Sequence, residues 1–115
     1  MTEPQFEALA VLAYAYLQND KPDKAASLLA GLDVLRPNEP QTLRALATAR
    51  LRSGKPAEAL DALDRLAMLG AVDAAFQLLR AQTLGALERR AEAVAAIEAF
   101  IDLKREIKRE LPQAA

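Results

Sequence analysis

The chain has 115 residues, with 15 Lys and Arg against 16 Asp and Glu, and it contains neither Cys nor His. The balanced charge excludes the strong positive field that binding to nucleic acid or anionic lipid usually needs. Disulfides, Cys/His metal sites, Cys nucleophiles and His-based catalytic triads are excluded as well. Hydrophobic residues make up 52% of the chain but aromatic residues only 4%, which predicts an all-α fold with small side chains between closely packed helices.

Six segments have apolar residues at three- and four-residue steps, the pattern of amphipathic helices. They predict helices near residues 5–18, 22–35, 39–52, 56–69, 73–87 and 90–110. Pro22 and Pro56 suit the first position of a helix, where the missing amide hydrogen is not needed. Asn38, followed three residues later by Gln41, is predicted to cap the third helix, and Asp73 is predicted to cap the fifth.

The first predicted helix does not have the form of a signal peptide. Its segment, "MTEPQFEALAVLAYAYLQND", has no basic lead and carries Glu3 and Glu7 beside the apolar run. No uninterrupted apolar stretch approaches the roughly 20 residues needed to span a bilayer. We therefore expect a cytoplasmic protein.

The strongest signal in the sequence is an internal repeat. The segment "LAVLAYAYLQNDKPDKAASLLAGL" superposes without a gap on "LRALATARLRSGKPAEALDALDRL", which begins 34 residues later. Small residues recur where the paired helices would cross, and a methyl group there allows the two backbones to approach closely. These residues are Ala13, Ala25, Ala47, Ala59, Ala81 and Ala93.

This pattern resembles the tetratricopeptide-repeat (TPR) family, which has the same period, small residues at the helix crossing and a proline at the unit end, as Pro37 is here. The resemblance implies three helix-turn-helix units, six antiparallel helices in all, forming a short right-handed superhelix. It implies a single domain over residues 1–115, with units at about 6–39, 40–73 and 74–107 and a charged extension of the last helix to about 111.

In TPR proteins the first helix of each unit lines a concave surface, so the resemblance implies a partner-binding groove on these helices. Projection of the helices places these residues on that face: Ala10, Tyr14, Leu17, Gln18, Arg44, Thr48, Leu51, Arg52, Leu78 and Gln82. The face is apolar with two basic residues, Arg44 and Arg52, so we expect it to bind an apolar helix face or an extended segment with acidic groups. The alternative is that its leucines pack within a superhelix too short to leave them exposed.

The last helix carries a second apolar surface, formed by Phe100, Leu103, Ile107 and Leu111. This stripe continues beyond the length that the fifth helix can cover. A partner could cover it, or the helix could be a solvated cap of the repeat array, because its opposite side carries mixed charges that keep a helix soluble.

Acidic pairs such as Asp61 with Asp64, or Glu58 with Asp61, could act as acid–base catalysts or metal ligands. Each pair lies opposite the apolar stripe of its helix, which favours an exposed outer face. The four glycines are isolated, so there is no Gly-rich phosphate loop. The sequence therefore predicts a protein-binding module that is not an enzyme and needs no metal or cofactor.

The sequence of the repeats resembles one group within the TPR family. The segment "AYLQNDKPDKAASLLAGLDVLRPNEPQTLRALA", the overall length and the phase of the units resemble the small TPR chaperones of bacterial type III secretion, of the YscY (SctY) kind. This resemblance implies a cytoplasmic chaperone that holds a small exported protein of the YscX kind as a tight heterodimer. It further implies delivery of that partner to the export gate, without insertion of the chaperone into the membrane.

Two other functions stay open at this point. The protein could be a general TPR adaptor or assembly factor that binds a helical or extended peptide reversibly. It could also be a self-associating structural module, in which Ile107 and Leu111 pair across a two-fold axis. A carboxylate clamp for acidic C-termini is disfavoured, because the inner positions lack the Lys and Asn residues that recur in such TPR domains.

Overall fold

The computed structural model describes residues 1–111, and this part of the chain contains six α-helices and no β-strand. The helices are α1 (Glu3–Gln18), α2 (Pro22–Leu35), α3 (Pro40–Arg52), α4 (Pro56–Met68), α5 (Ala74–Ala86) and α6 (Arg90–Glu110). The all-α prediction is confirmed, and every predicted helix boundary lies within two residues of the observed one. Residues 112–115, which the predicted domain includes, lie outside the described residues.

The two predicted helix caps have different outcomes. A carboxylate oxygen of Asp73 accepts a hydrogen bond from the backbone amide of Phe76 at 2.8 Å, so the predicted cap of α5 is confirmed. The predicted cap of α3 is wrong, because Glu39 occupies the N-cap position and its side chain makes no capping bond. Asn38 instead has a φ of 64°, a left-handed conformation that asparagine tolerates better than most residues.

The turn inside each helical hairpin repeats with the period of the sequence. One residue in each turn has a positive φ: Asp20 (57°), Gly54 (75°) and Glu88 (60°). The amide of the next residue donates to the carbonyl five residues earlier: Lys21 to Tyr16 (2.8 Å), Lys55 to Arg50 (2.9 Å) and Arg89 to Leu84 (2.9 Å). These bonds close the last turn of α1, α3 and α5 in the manner of a Schellman motif, so the repeat extends to backbone geometry.

The described residues form two compact units. The first, Met1–Ala71, contains two helical hairpins, α1 with α2 and α3 with α4. Its buried core holds the predicted small residues of both hairpins, together with leucines from all four helices. The buried residues include Ala13, Leu17, Ala25, Leu29, Leu32, Leu43, Leu46, Ala47, Ala59, Leu63 and Leu66. The alanines at the helix crossings are therefore core residues, as the repeat predicts.

An ion pair joins the two hairpins of the first unit. The guanidinium of Arg65 on α4 donates to both carboxylate oxygens of Asp33 on α2, at 2.6 and 2.8 Å, and also to the side-chain oxygen of Asn38, at 3.1 Å. The hydrogen bond from Arg65 holds the pKa of Asp33 below its ordinary value of 3.8, although partial burial acts in the opposite direction. A bidentate pair of this kind fixes the distance and the angle between two helices.

The second unit begins at Val72 and contains the hairpin of α5 and α6. Its buried residues are Phe76, Ala81, Thr83, Leu84, Ala93 and Ala96. The hydroxyl of Thr83 donates to the backbone carbonyl of Leu79 at 2.8 Å, which satisfies a polar group that would otherwise be buried alone. Phe100 and Leu103 of α6 are half-buried.

Candidate partner-binding groove

A groove opens between α1 and α3 within the first unit. Its volume is about 480 Å³. The lining residues from α1 are Glu3, Phe6, Glu7, Ala10, Val11 and Tyr14, and the others are Leu29, Glu39, Gln41, Thr42 and Ala45. Two first helices of successive repeats therefore form the walls, and Leu29 of α2 contributes to the floor.

The helical repeat explains how α1 presents one wall of this groove. Glu3, Glu7, Ala10 and Tyr14 are separated by four, three and four residues, so they lie along one face of the helix. Small side chains at Ala10 and, on the opposite wall, at Ala45 leave the space between the helices unfilled. The groove is open because the sequence has alanine where larger residues would close it.

Two large side chains in the groove are exposed to solvent. Val11 has an exposed fraction of 67% and Tyr14 one of 60%, although both belong to a helix whose opposite face is buried. Phe6, in contrast, is buried, and the Arg36 guanidinium lies 4.4 Å from the centre of its ring. This contact is a cation–π interaction, and it holds Phe6 in the floor of the groove. Val11 and Tyr14 are thus the apolar surface available to a partner.

The charge around the groove is acidic. Glu3 forms an ion pair with Arg36, which neutralises one of the three glutamates. Glu7 and Glu39 are exposed, and neither forms an ion pair with another residue in 1–111. An apolar segment flanked by Lys or Arg would match this surface, because its charges would lie beside Glu7 and Glu39.

The structure places the predicted groove residues of α1 in three environments. Ala10 and Tyr14 line the groove. Gln18 is exposed near the C-terminal end of the same helix. Leu17 belongs to the buried core of the first unit, where it packs with Ala13, Leu29 and Leu46. Its side chain supports the helix and offers almost no surface to a partner.

The groove between α1 and α3 includes only the N-terminal part of α3. Gln41, Thr42 and Ala45 face the groove, whereas Arg44, Thr48, Leu51 and Arg52 do not line it. Arg44 and Arg52, the two basic residues of the predicted groove, are therefore not among the residues that line this one. The expected partner segment with acidic groups stays a prediction. Arg52 lies 3.4 Å from the carboxylate of Asp20, and the Thr48 hydroxyl donates to the carbonyl of Arg44 at 3.0 Å.

The remaining predicted residues belong to the second unit. Leu78 and Gln82 are exposed on α5. The predicted apolar surface of α6 divides along its length, because Phe100 and Leu103 are half-buried while Ile107 and Leu111 are exposed. Only the later part of that stripe is open to solvent in the described residues.

Sequence reasoning missed several residues of the groove. Phe6, Glu7, Val11, Glu39, Gln41, Thr42 and Ala45 line it without having been predicted. Val11 carried a usable signal, since a large apolar residue between Ala10 and Leu12 does not belong to the buried stripe of α1. The residues of α3 carried none, because the face that meets α1 depends on how two non-consecutive helices pack.

The described residues also bear on metal binding and on membrane insertion. Residues 1–111 contain no cluster of three or more Asp, Glu, His or Cys side chains arranged to hold a metal ion. None of the helices in this range is both long enough and apolar enough to cross a membrane. Asp61 and Asp64 are exposed on α4, as the periodicity predicted.

The fold defines the class of protein. Three helical hairpins with a 34-residue period, buried alanines at the crossings and similar turn geometry make this an all-α, TPR-like protein. No family model matches the chain, and no curated protein matches it either.

Two of the solved structures with a similar fold contain chaperones or chaperone-bound segments. One is PcrH in complex with the chaperone binding region of PopB, with a TM-score of 0.82, 20% sequence identity, and coverage of 90% of this chain and 83% of that one. Another is the type III secretion translocator chaperone SycD of Yersinia enterocolitica, with a TM-score of 0.80, 22% identity, and coverage of 94% and 84%. At these identities the similarity establishes the fold.

Proposed function

We propose that this protein is a bacterial cytoplasmic chaperone of type III secretion that binds a small exported protein as a one-to-one heterodimer and presents it to the export apparatus. The observation that carries the proposal is the open groove between α1 and α3, which exposes Val11 and Tyr14. Two type III secretion chaperones share the fold, and one of them was solved with the chaperone binding region of another protein. The sequence resemblance to the YscY kind supports the same function independently.

The groove also suggests what the partner segment looks like. Its lining combines apolar side chains, among them Val11 and Tyr14, with the glutamates Glu7 and Glu39. A segment with one or two large apolar side chains beside a Lys or Arg would bury Val11 and Tyr14 and bring opposite charges together. Exposed charges contribute little to affinity, so the apolar contact dominates binding and the charges select the orientation.

The test is capture of the exported partner by groove variants. The probe is the small YscX-like protein of the secretion system that contains this chain, co-expressed with it and analysed by pull-down and light scattering. We expect a one-to-one complex with the original sequence. The double variant Val11→Glu with Tyr14→Glu should weaken capture by at least about tenfold, because two buried charges would face an apolar segment.

The matched control is Val34→Glu, which adds a charge at an exposed apolar position of α2 outside the groove. It should leave capture unchanged, and circular dichroism should show unchanged helix content in all variants. Equal capture by the groove variant and the control would contradict the proposal that this groove binds the partner. A complex with unequal numbers of the two chains would contradict the one-to-one pairing.

A further inference from the structure

The outer face of α6 exposes three large apolar residues. Val94, Ile97 and Ile101 are separated by three and four residues, so they form one stripe. Their exposed fractions are 53%, 45% and 41%. This stripe differs from the predicted one, whose first residues, Phe100 and Leu103, are half-buried in the second unit.

The repeat shows what normally covers such a stripe. Shifts of 34 residues relate Ile97 to Leu63 on α4 and to Leu29 on α2, which are 0% and 2% exposed. Leu29 is buried in one cluster with Leu46 and Ala49 of α3. The second helix of a hairpin is thus covered, in the first unit, by the first helix of the next hairpin.

The first helix of the chain carries the matching surface uncovered. Leu12 on α1 is the repeat equivalent of Leu46 on α3, yet Leu12 is 43% exposed and Leu46 is 1% exposed. Ala15, equivalent to the fully buried Ala49, is also partly exposed. α6 therefore exposes the surface that α2 buries against α3. α1 exposes the surface that α3 buries against α2.

We infer that α1 of a second copy of this chain packs on α6, antiparallel to it, in the way that α3 packs on α2. Leu12 of one copy then lies against Ile97 of the other. Both are apolar side chains of the same size class as the pair they reproduce, Leu46 with Leu29.

The charges favour this pairing over a symmetric contact between two α6 helices. Arg90, Lys104 and Lys108 lie on the same side of α6 as Ile97. An antiparallel α6–α6 contact centred near Ile97 and Ile101 would bring Arg90 of one copy beside Lys108 of the other. α1 contains no Lys or Arg, so Arg90, Lys104 and Lys108 meet no like charge on it.

A contact between two different surfaces, unlike a symmetric one, does not end at a dimer. Each added copy leaves one α1 and one α6 uncovered, so the assembly grows with protein concentration. Sedimentation velocity of the full chain, without any partner, should show a mean mass that rises over a hundredfold concentration range. A constant monomer mass across that range would overturn the inference.

Two variants test the α1 surface and the α6 surface individually. Leu12→Glu blocks α1 and Ile97→Glu blocks α6, so each variant alone should sediment as a monomer. A mixture of the two retains one intact α1 surface and one intact α6 surface, and it should form a dimer that grows no further. Association lost in Ile97→Glu but retained in Leu12→Glu would indicate a symmetric α6 contact and overturn the inference.

Control variants distinguish loss of the contact from misfolding and from a general effect of added charge. Val34→Glu adds the same charge at an exposed position away from both surfaces, and it should associate like the original sequence. Leu12→Gln and Ile97→Gln remove the apolar contact without adding a charge. These milder variants should show the same complementation in the mixture. Failure of complementation between variants with normal helix content would overturn the inference.

Discussion

At the scale of single residues, equivalent positions of the three repeats can be compared with one another. Asp20, Gly54 and Glu88 occupy equivalent turns with nearly the same positive φ. Only glycine adopts this conformation without a steric penalty from Cβ. The first and third turns are therefore strained relative to the second, and the hydrogen bonds that close all three turns hold them in this conformation.

We predict that Glu88→Gly stabilises the protein by about 0.5–1 kcal/mol, because it removes the Cβ contact at a φ of 60°. Gly54→Ala should destabilise it by about 1 kcal/mol for the opposite reason. No atom lies within 4 Å of a Cβ built on Gly54, so that variant reports backbone strain alone. Urea denaturation followed by circular dichroism measures both changes. Glu88→Ala, which keeps Cβ, should show no gain, and a gain equal to that of Glu88→Gly would exclude strain as the cause.

At the scale of helices, the Asp33–Arg65 pair connects α2 to α4. Because the folded state lowers the pKa of Asp33, the pair stabilises the protein at any pH above the ordinary value of 3.8. The stabilisation is lost as the pH falls through the lower pKa of the folded state. Asp33→Asn should therefore reduce the unfolding free energy by about 1–2 kcal/mol at neutral pH.

The pH dependence distinguishes this pair from a packing effect. The difference in unfolding free energy between the original sequence and Asp33→Asn should be constant from pH 6 to pH 8 and should shrink below about pH 4. Asp61→Asn, at an exposed position of α4, should change stability by less than about 0.5 kcal/mol throughout. A loss in Asp33→Asn that stayed the same in acid would show that the charge of Asp33 is not the cause.

Helices were the most predictable level of the structure, because their signals are local. The periodicity of apolar residues predicted where the helices lie. Pro22 and Pro56 predicted the first residues of α2 and α4. The error at Asn38 has a local reason too, since asparagine both caps helices and tolerates a positive φ. Leu17 shows the limit of projection onto a helical wheel. It lies at the edge between the buried face and the groove face, and only packing against α2 and α3 decides its side.

The groove was predictable only in part, for the same reason. Ala10 and Tyr14 were found from the face of a single helix. The contribution of Gln41, Thr42 and Ala45 depends on the angle at which α3 lies against α1. No periodicity within one helix encodes that angle. The charged residues that line the groove are acidic, and Arg44 and Arg52 are not among them.

At the scale of the whole molecule, each compact unit has its own buried core. Leu63 lies fully buried in the first unit and Leu84 fully buried in the second. In repeat proteins, stability is approximately a sum over repeats and their neighbouring contacts. A cavity made in one unit should therefore raise local opening mainly in the helices of that unit.

We predict that Leu84→Ala, which removes about 2–4 kcal/mol of stability from its surroundings, increases amide hydrogen exchange in α5 and α6 much more than in α1 to α4. Leu63→Ala should show the reverse pattern, with the largest increase in α3 and α4. Hydrogen exchange followed by mass spectrometry resolves the two patterns, because the units are continuous in sequence. An equal increase in both units, from either variant, would mean that they open together. That result would favour the single cooperative domain expected from the sequence over two units that open separately.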